Sequence, residues 1–241
     1  MLPLTDAVAP RRFPWVTLSL AAANVLFWLA YQLPAGLEES VDEVGFRACS
    51  LAGDCAAEHG SWAATATTSM FAHGGWAHLV GNLLFLLALG VRVESELGAL
   101  RYALLYVTAG YAATFIFAGT TLAFMSKADT NVPGIGASGA ISGVMAAYLV
   151  LFPFARILTW VVPMFFVRVP AVTLLGVWFA LQALEGTYGL AHPQEEGAGI
   201  AFFAHVGGFA AGFVLAAVLV RRSWPRALFG RRRAGNPRVA T

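Results

Sequence analysis

Long apolar runs alternate with short polar segments along this chain, and the runs predict its helices. A helix needs roughly 20 apolar residues to cross the hydrocarbon core of a bilayer, and several of the runs are about that long. The sequence therefore predicts an all-α polytopic membrane protein with six transmembrane helices. The runs cover about residues 13–33, 76–91, 100–125, 137–152, 169–183 and 200–220.

The segments outside the runs divide the chain into three parts. Residues 1–12 are predicted to be a short polar cytoplasmic N-terminus, 13–220 a six-helix membrane domain, and 221–241 a basic cytoplasmic tail. The acidic loop 34–75 is only moderately apolar, so we expect it to fold onto the membrane surface without crossing. The arginine-rich tail fits either contact with anionic lipid headgroups or a simple topology anchor.

Composition and charge agree with a membrane protein and predict its orientation. Hydrophobic residues make up 59% of the chain and charged residues 12%, where a soluble domain carries roughly 25% charge. With both termini on one side, all but Arg47 and Lys127 of the 15 lysines and arginines fall on that side. Because basic residues concentrate in cytoplasmic segments, we expect both termini inside (N-in, C-in).

A serine opens the fourth run within the stretch Gly136-Ala137-Ser138-Gly139. The flanking glycines allow other backbone to come close to it. The pair Gly139 and Gly143 also has the spacing that packs transmembrane helices without any chemistry. By itself, therefore, this stretch fits either a nucleophile or a packing face.

Polar residues at one depth favour chemistry. In the predicted orientation the second, fourth and sixth runs all descend from the outer face, and they carry His78 with Asn82, Ser138, and His205. At about 1.5 Å per residue, Ser138 and His205 each lie about 23 Å above the inner end of their runs, and His78 about 21 Å. Gly208 and Gly212 give the sixth run a packing face like that of the fourth, which would bring the serine and the histidine side by side.

This set of residues suits acyl transfer. A serine hydroxyl becomes a useful nucleophile when a base takes its proton, and His205 can be that base. No acidic residue lies near either one in its run, so we predict a dyad. Donors to the oxyanion would be the side chains of His78 and Asn82 and the backbone N–H of Ser138 at the helix start. We include Gly136 in this oxyanion group.

Structural and metal-binding interpretations compete with this one. His205 could be bonded to a neighbouring helix, and His78 with Asn82 could be a polar clamp between helices. Intramembrane histidines are rare and usually functional, which favours chemistry. His73, His78 and His205 could in principle hold zinc, but the chain has no His-Glu-x-x-His motif and no intramembrane carboxylate beside them. We therefore predict no metal and no cofactor.

At these residues the chain resembles the rhomboid family of intramembrane serine proteases. The resemblance covers about residues 60–215 and has four motifs in the family's order. They are His73-Gly-Gly-Trp-Ala-His78-Leu-Val-Gly-Asn82, Gly90-Val-Arg-Val-Glu94-Ser-Glu-Leu-Gly98, Gly136-Ala137-Ser138-Gly139, and Ala204-His205-Val206-Gly207-Gly208 with Gly212.

The resemblance implies a six-helix rhomboid fold with Ser138 as nucleophile and His205 as general base. It places His78 and Asn82 at the oxyanion. It implies a structural role, without catalysis, for Glu94, and also for the loop residue His73. The loop after the first span should lie half in the membrane. The fifth span and the loop at about 188–199 should form the substrate gate and cap.

By the same resemblance the substrate is a single-pass transmembrane protein, cleaved near the outer end of its span after a small residue. A helical peptide bond has its carbonyl tied up, so the substrate must become extended to reach the serine. The expected partners are such substrates and the lipid bilayer, with no nucleic acid. We expect a multi-pass protein of a bacterial inner membrane.

The chain departs from the family pattern at two places. Some relatives carry an aromatic residue one turn after the serine, which packs on the catalytic histidine, whereas this chain has Ser142. His205 must then be held otherwise, and the candidates are the Ser142 hydroxyl and Phe209. The loop after the first span also lacks a clear Trp-Arg pair.

Two alternatives belong to other functional classes. A non-catalytic rhomboid-like protein that binds transmembrane clients would lack Ser138 or His205, and both are present. A small-solute transporter would favour paired halves and broken helices at the midplane, which this sequence does not show. Cys49 and Cys55 share the long outer loop, and the sequence fits a disulfide and two free thiols equally well.

Overall fold

Helices make up most of the structure, a computed structural model that describes residues 2–6, 10–55, 60–161, 165–191 and 200–229. Every run predicted to cross the membrane coincides with a helix. The helices are α1 (Trp15–Ala35), α2 (Leu37–Val44), α3 (Cys49–Ala52), α4 (Trp62–Thr68), α5 (Trp76–Leu97), α6 (Ala99–Phe124), α7 (Ser138–Leu151), α8 (Ala171–Ala191) and α9 (Ile200–Phe229).

Within the described residues, four helices are long and apolar enough to cross a membrane: α1, α5, α6 and the Phe202–Val220 part of α9. α7 is apolar but shorter, with 14 residues. α1 and α5 each contain one π-helical turn, at Trp28–Gln32 and Leu86–Gly90. The chain is therefore a polytopic, mostly helical integral membrane protein.

The core is built around α7, which is buried from Gly139 to Tyr148 between α6 and α9. A Cβ atom on Gly208 would overlap the carbonyl oxygen of Gly139, and one on Gly212 would overlap the backbone of Gly143. The two glycine faces thus meet directly, as their spacing predicted. Contact at backbone distance fixes α7 and α9 against each other along the turns that follow the site.

The described residues of the loop between α1 and α5 form three short helices and a disulfide between Cys49 and Cys55. Its longest helix has 8 residues, about 12 Å, which is too short to cross a bilayer. The buried Arg47 donates hydrogen bonds to the backbone carbonyls of Asp42 (2.8 Å) and Asn131 (2.9 Å). Arg47 therefore connects this loop to the segment that leads to Ser138. The loop has this contact although it lacks a clear Trp-Arg pair.

Glu94 has the structural role expected of it. Its buried carboxylate accepts hydrogen bonds from the backbone N–H groups of Val16 (2.9 Å) and Thr17 (2.7 Å) and from the Thr17 hydroxyl (2.8 Å). These N–H groups are free because they open α1, and the helix dipole favours negative charge there. Glu94 thereby joins the end of α5 to the start of α1.

A three-stranded antiparallel sheet departs from the all-α prediction. Its strands are β1 (Leu2–Asp6), β2 (Arg156–Val161) and β3 (Phe165–Pro170), in the order β1–β2–β3. Leu2 pairs with Trp160 in one ladder, and Ile157 pairs with Val169 in the other. The predicted polar N-terminus therefore contains an edge strand, and the predicted loop before the fifth span is a β-hairpin.

The sheet fills the space between α5 and α8. β1 lies against the part of α5 from Trp76 to Gly90, and β3 lies against α8. Ile157 is fully buried in the helical core, whereas Phe165 and Phe166 at the far end of the hairpin are exposed. The strands are mostly apolar and lie against α5 and α8, so no polar loop composition marks this segment.

Two further predictions differ from the structure or lie beyond it. α9 continues as a helix to Phe229, past the predicted start of the tail at residue 221. The rest of that tail, residues 230–241, lies outside the described residues. The same holds for residues 192–199, which make up most of the predicted cap.

Candidate active site

Ser138 and His205 face each other across the contact between α7 and α9. Ser138 is the first residue of α7, and the Ser138 Oγ lies 2.8 Å from the Nε2 of His205. The helices approach this closely because Gly208 has no side chain where it meets the carbonyl of Gly139. The pair therefore lies beside this close helix contact, with Ser138 next to Gly139 and His205 three residues before Gly208.

The other ring nitrogen of His205 is engaged by α8. The His205 Nδ1 forms a hydrogen bond with the Oε1 of Gln182, and the Trp178 ring packs 5.3 Å from the imidazole, centre to centre. Neither residue was predicted, although a glutamine inside an apolar run is a signal of function. Both ring nitrogens of His205 thus have protein partners.

The predicted supports for His205 are different from the observed ones. The Ser142 hydroxyl donates instead to the backbone carbonyl of Ser138, at 2.7 Å, because a serine inside a helix readily bonds to the carbonyl four residues earlier. The Phe209 ring packs against the Phe179 ring of α8, 5.0 Å away. Gln182 and Trp178 therefore take the place of the missing aromatic residue.

His78 and Asn82 reach the same place from α5. The backbone N–H of Gly74 donates to the His78 Nδ1 at 3.2 Å, so a neutral ring carries its proton on Nε2. That Nε2 would lie 2.8 Å from a Cβ added to Gly136. Asn82 is 8% exposed, and its amide nitrogen has no hydrogen-bond partner among the described residues.

Gly136 makes room for the His78 ring, and its N–H is not available as an oxyanion donor. Its φ of +117° is a conformation that favours glycine, and its missing side chain makes room for the His78 ring beside Ser138. The N–H of Gly136 already donates to the backbone carbonyl of Ser69, at 2.8 Å. Among the predicted oxyanion donors, the structure thus leaves the side chains of His78 and Asn82 and the N–H of Ser138.

His73 is fully buried and anchors the start of α5. Its backbone N–H donates to the Oε1 of Gln32 at 2.8 Å, and its carbonyl accepts from the Nε2 of Gln32 at 3.0 Å. The two rings of His73 and His78 pack edge to face, 5.1 Å apart. Burial, and secondly the neighbouring His78, lower the pKa of His73 to about 4. These contacts fit the structural role expected of it.

Two cavities adjoin the Ser138–His205 pair, and both residues line each of them. One, of about 220 Å³, is mostly apolar and lies between α6, the loop after α4 and the segment before Ser138. The other, of about 250 Å³, opens between α5 and α8 and is lined by His78, Asn82 and Trp178.

The architecture and this site define the class of the protein: a helical integral membrane protein with a serine–histidine pair held between its helices. The model of the Rhomboid domain matches residues 60–222, which is more than half of the chain. This protein belongs to the rhomboid family.

Its relatives include plant and yeast proteins. The chain is 33% identical to RHOMBOID-like protein 4 of Arabidopsis thaliana over 150 residues, which cover 62% of this chain and 32% of that protein. It is 30% identical to RHOMBOID-like protein 6, mitochondrial, of the same plant over 154 residues, which cover 64% of this chain and 42% of that protein. It is 33% identical to Rhomboid protein 1, mitochondrial, of Saccharomyces cerevisiae over 117 residues, which cover 48% of this chain and 30% of that protein. The chain thus spans less than half the length of these relatives.

Proposed function

We propose that this protein is an intramembrane serine endopeptidase that cleaves single-pass transmembrane proteins. The observation that carries the proposal is the distance of 2.8 Å between the Ser138 Oγ and the His205 Nε2, within a bundle of apolar helices. A hydroxyl at hydrogen-bond distance from an imidazole nitrogen is the arrangement that activates a serine. Membership of the rhomboid family supports this type of reaction.

The reaction begins when the Ser138 Oγ attacks the carbonyl carbon of the scissile peptide bond. The Ser138 hydroxyl proton passes to the His205 Nε2, and the carbonyl oxygen becomes an oxyanion. Collapse of this tetrahedral intermediate breaks the C–N bond, and His205 returns the proton to the leaving amine. Water, deprotonated by the same nitrogen, then hydrolyses the ester on Ser138 and restores the hydroxyl.

Three donors suit the oxyanion. The N–H of Ser138 opens α7 and has no carbonyl of its own helix to bind. The Asn82 amide is buried and its nitrogen is unpaired within the described structure, so a negatively charged oxygen would relieve an unfavourable state. The third is the His78 Nε2–H, whose proton position follows from the bond that Gly74 donates to the other ring nitrogen.

The two cavities suit an extended substrate. A peptide bond above Ser138 would direct its flanking residues into the apolar cavity of about 220 Å³ and into the cavity between α5 and α8. A transmembrane segment would reach the site from the side of α8, the predicted gate. We also propose that cleavage occurs after a small residue, near the outer end of the substrate's span, as the resemblance to the family implies.

The proposal includes a six-span topology with both termini inside. All six predicted runs are helical, and in this orientation the basic residues concentrate inside. The bacterial inner membrane stays a prediction to which these relatives lend no support, since they are plant and yeast proteins and two are named as mitochondrial.

Labelling of the purified protein by a fluorophosphonate tests the proposal. We expect the native protein to be labelled and Ser138→Ala and His205→Ala to be unlabelled, because the first lacks the nucleophile and the second the base. Ser142→Ala, on the same helix, is the matched control and should label. A reporter with one transmembrane span should be cleaved by the native and Ser142→Ala proteins only.

Each other outcome has a definite meaning. Equal labelling of all four proteins would show that another serine reacts and that the site is wrong. A folded native protein without labelling or cleavage would favour the alternative, a rhomboid-like protein that binds transmembrane clients without cutting them.

A further inference from the structure

A chain of hydrogen bonds extends from the Ser138–His205 pair along α8. The Gln182 Oε1 is bonded to the His205 Nδ1, and the Gln182 Nε2 donates to the Oε2 of Glu185 at 2.7 Å. Gln182 and Glu185 are three residues apart in one helix and therefore lie on the same face. The groups are aligned in the order Glu185, Gln182, His205, Ser138.

The direction of each bond in this chain follows from chemistry. A carboxylate only accepts hydrogen bonds, so the Gln182 amide must turn its nitrogen to Glu185 and its oxygen to His205. The amide oxygen also only accepts, so the proton of a neutral His205 must be on Nδ1. The unprotonated Nε2 then faces the Ser138 Oγ, at 2.8 Å, which is the tautomer that can take the serine proton.

We propose that Gln182 is the positioning residue of the catalytic histidine and that Glu185 sets the orientation of its amide. The proposal rests on the function proposed above and adds a third and a fourth member to the dyad. Gln182 does not touch the reacting atoms. It acts by holding the tautomer and the ring plane of His205, and it supplies a dipole for the imidazolium that forms during the reaction.

A neutral amide suits this location better than a carboxylate. Gln182 is half-buried beside a membrane-embedded histidine, whereas Glu185 is exposed one turn later. An unpaired carboxylate at the first position would be costly to bury. The amide makes the contact with His205, and the charge stays on the exposed Glu185 one turn later in α8.

The contacts of Gln182 and Trp178 also connect His205 to α8. Ser138 and His205 are on α7 and α9, which the glycine contacts hold together, but Gln182 and Trp178 both belong to α8. The correct tautomer of His205 is therefore favoured only while α8 lies in its present place. Displacement of α8 would release the Nδ1 proton from its acceptor.

NMR of isotope-labelled histidine ring nitrogens tests the tautomer without requiring any turnover. The His205 signals are assigned by their loss in His205→Ala. We expect a protonated Nδ1 and an unprotonated Nε2 in the native protein, and a mixture of tautomers in Gln182→Leu. A native His205 with its proton on Nε2, or a tautomer ratio unaffected by Gln182→Leu, would overturn the proposal whether or not the protein is a protease.

Kinetics of fluorophosphonate labelling and reporter cleavage provide the second test. Gln182→Leu should lower both rates by about 10- to 100-fold, since the base would no longer be held in its active form, with little change in KM. Leu181→Ala, an exposed neighbour on the same helix, should label at the native rate. A native rate in Gln182→Leu would contradict the positioning role and leave the proposed protease function intact.

Exchange of the two side chains provides the rescue. Gln182→Glu alone places two carboxylates side by side and should be slow. Combined with Glu185→Gln it restores an acceptor for the His205 Nδ1 and a donor behind it, so most of the lost rate should return. If the double variant is as slow as Gln182→Glu alone, Glu185 does not orient the amide as proposed.

Discussion

At the scale of single residues, the site depends on donors and acceptors that lack other partners. Asn82 is the clearest case, because its amide nitrogen is buried and unpaired among the described residues. Such a group is unfavourable in the resting protein and favourable once an oxyanion forms.

Replacement of Asn82 by alanine should therefore slow catalysis more than it changes folding. We expect kcat/KM for a transmembrane reporter to fall by about 100-fold, the usual effect of removing one oxyanion donor. Thermal unfolding should stay near the native temperature. Val80→Ala, exposed on the same helix, is the control, and an unchanged rate in Asn82→Ala would make Asn82 a clamp between helices only.

His73 gives the protein a pH dependence of stability at the same scale. Its pKa is about 4 in the folded protein and about 6.5 in an unfolded chain. Between these values the unfolded chain binds a proton that the folded chain does not, so stability is complete above about pH 6.5 and falls as the pH drops toward 4.

Thermal unfolding in detergent at about pH 7.5 and about pH 5 measures this effect. We expect the unfolding temperature to decrease more between the two pH values in the native protein than in His73→Gln. The glutamine has no proton to gain in this pH range. The other histidines are common to both proteins and cancel in the comparison. Identical pH dependence in the two would assign the effect to other groups.

At the scale of elements, the glycine contacts decide where Ser138 and His205 meet. Gly208 packs on the carbonyl of Gly139, and Gly212 on the backbone of Gly143. Since helices are stiff, contact at these two levels also sets the separation of α7 and α9 at Ser138, the residue before Gly139, and at His205, three residues before Gly208. The geometry of the pair is thus a consequence of the helix packing.

Gly208→Val should lower stability and activity together, because its side chain must push α9 away from Gly139. Overpacking of this kind costs about 1–3 kcal/mol, and labelling of Ser138 by fluorophosphonate should fall as well. Gly176→Val on α8 is the matched control, since nothing lies within 4 Å of a Cβ added there. A Gly208→Val protein with native stability and labelling would refute the packing described here.

At the scale of the whole molecule, hydrogen bonds and strand pairing join segments that are far apart in the sequence. Glu94 binds the start of α1, Arg47 binds the segment before Ser138, and β1 pairs with β2. Each of these contacts joins residues that are more than 75 positions apart. Together with the helix core they hold α5, α7, α8 and α9 around the site.

The sheet can be tested by hydrogen exchange of the backbone amides. β2 is the central strand, paired on one side with β1 and on the other with β3. Deletion of residues 2–6 should speed the exchange of the β2 amides that face β1 and leave the helix α7 unaffected. Thr5→Ala keeps the backbone of β1 and should exchange like the native protein. Equal exchange with and without residues 2–6 would exclude the pairing.

The helices and the level of the site could be predicted from the sequence, because their signals are local. The apolar runs predicted the helices to within a few residues at most ends, because transfer of apolar side chains out of water depends on composition alone. The shared depth of Ser138 and His205 followed from the constant rise of a helix. The glycine pairs also predicted which faces would meet. These quantities require no knowledge of the rest of the fold.

The pairing of groups that are distant in the sequence could not be predicted, because it depends on how the helices and strands pack. Gln182 was visible as a polar residue in an apolar run, but its contact with His205 depends on where α8 packs. The strands of the sheet are rich in β-branched and aromatic residues on both sides of Pro163, yet β2 needs residues 2–6 to complete its pairing. Hydrogen bonds between segments form only when both ends have been brought to the same place, and a linear pattern does not contain that information.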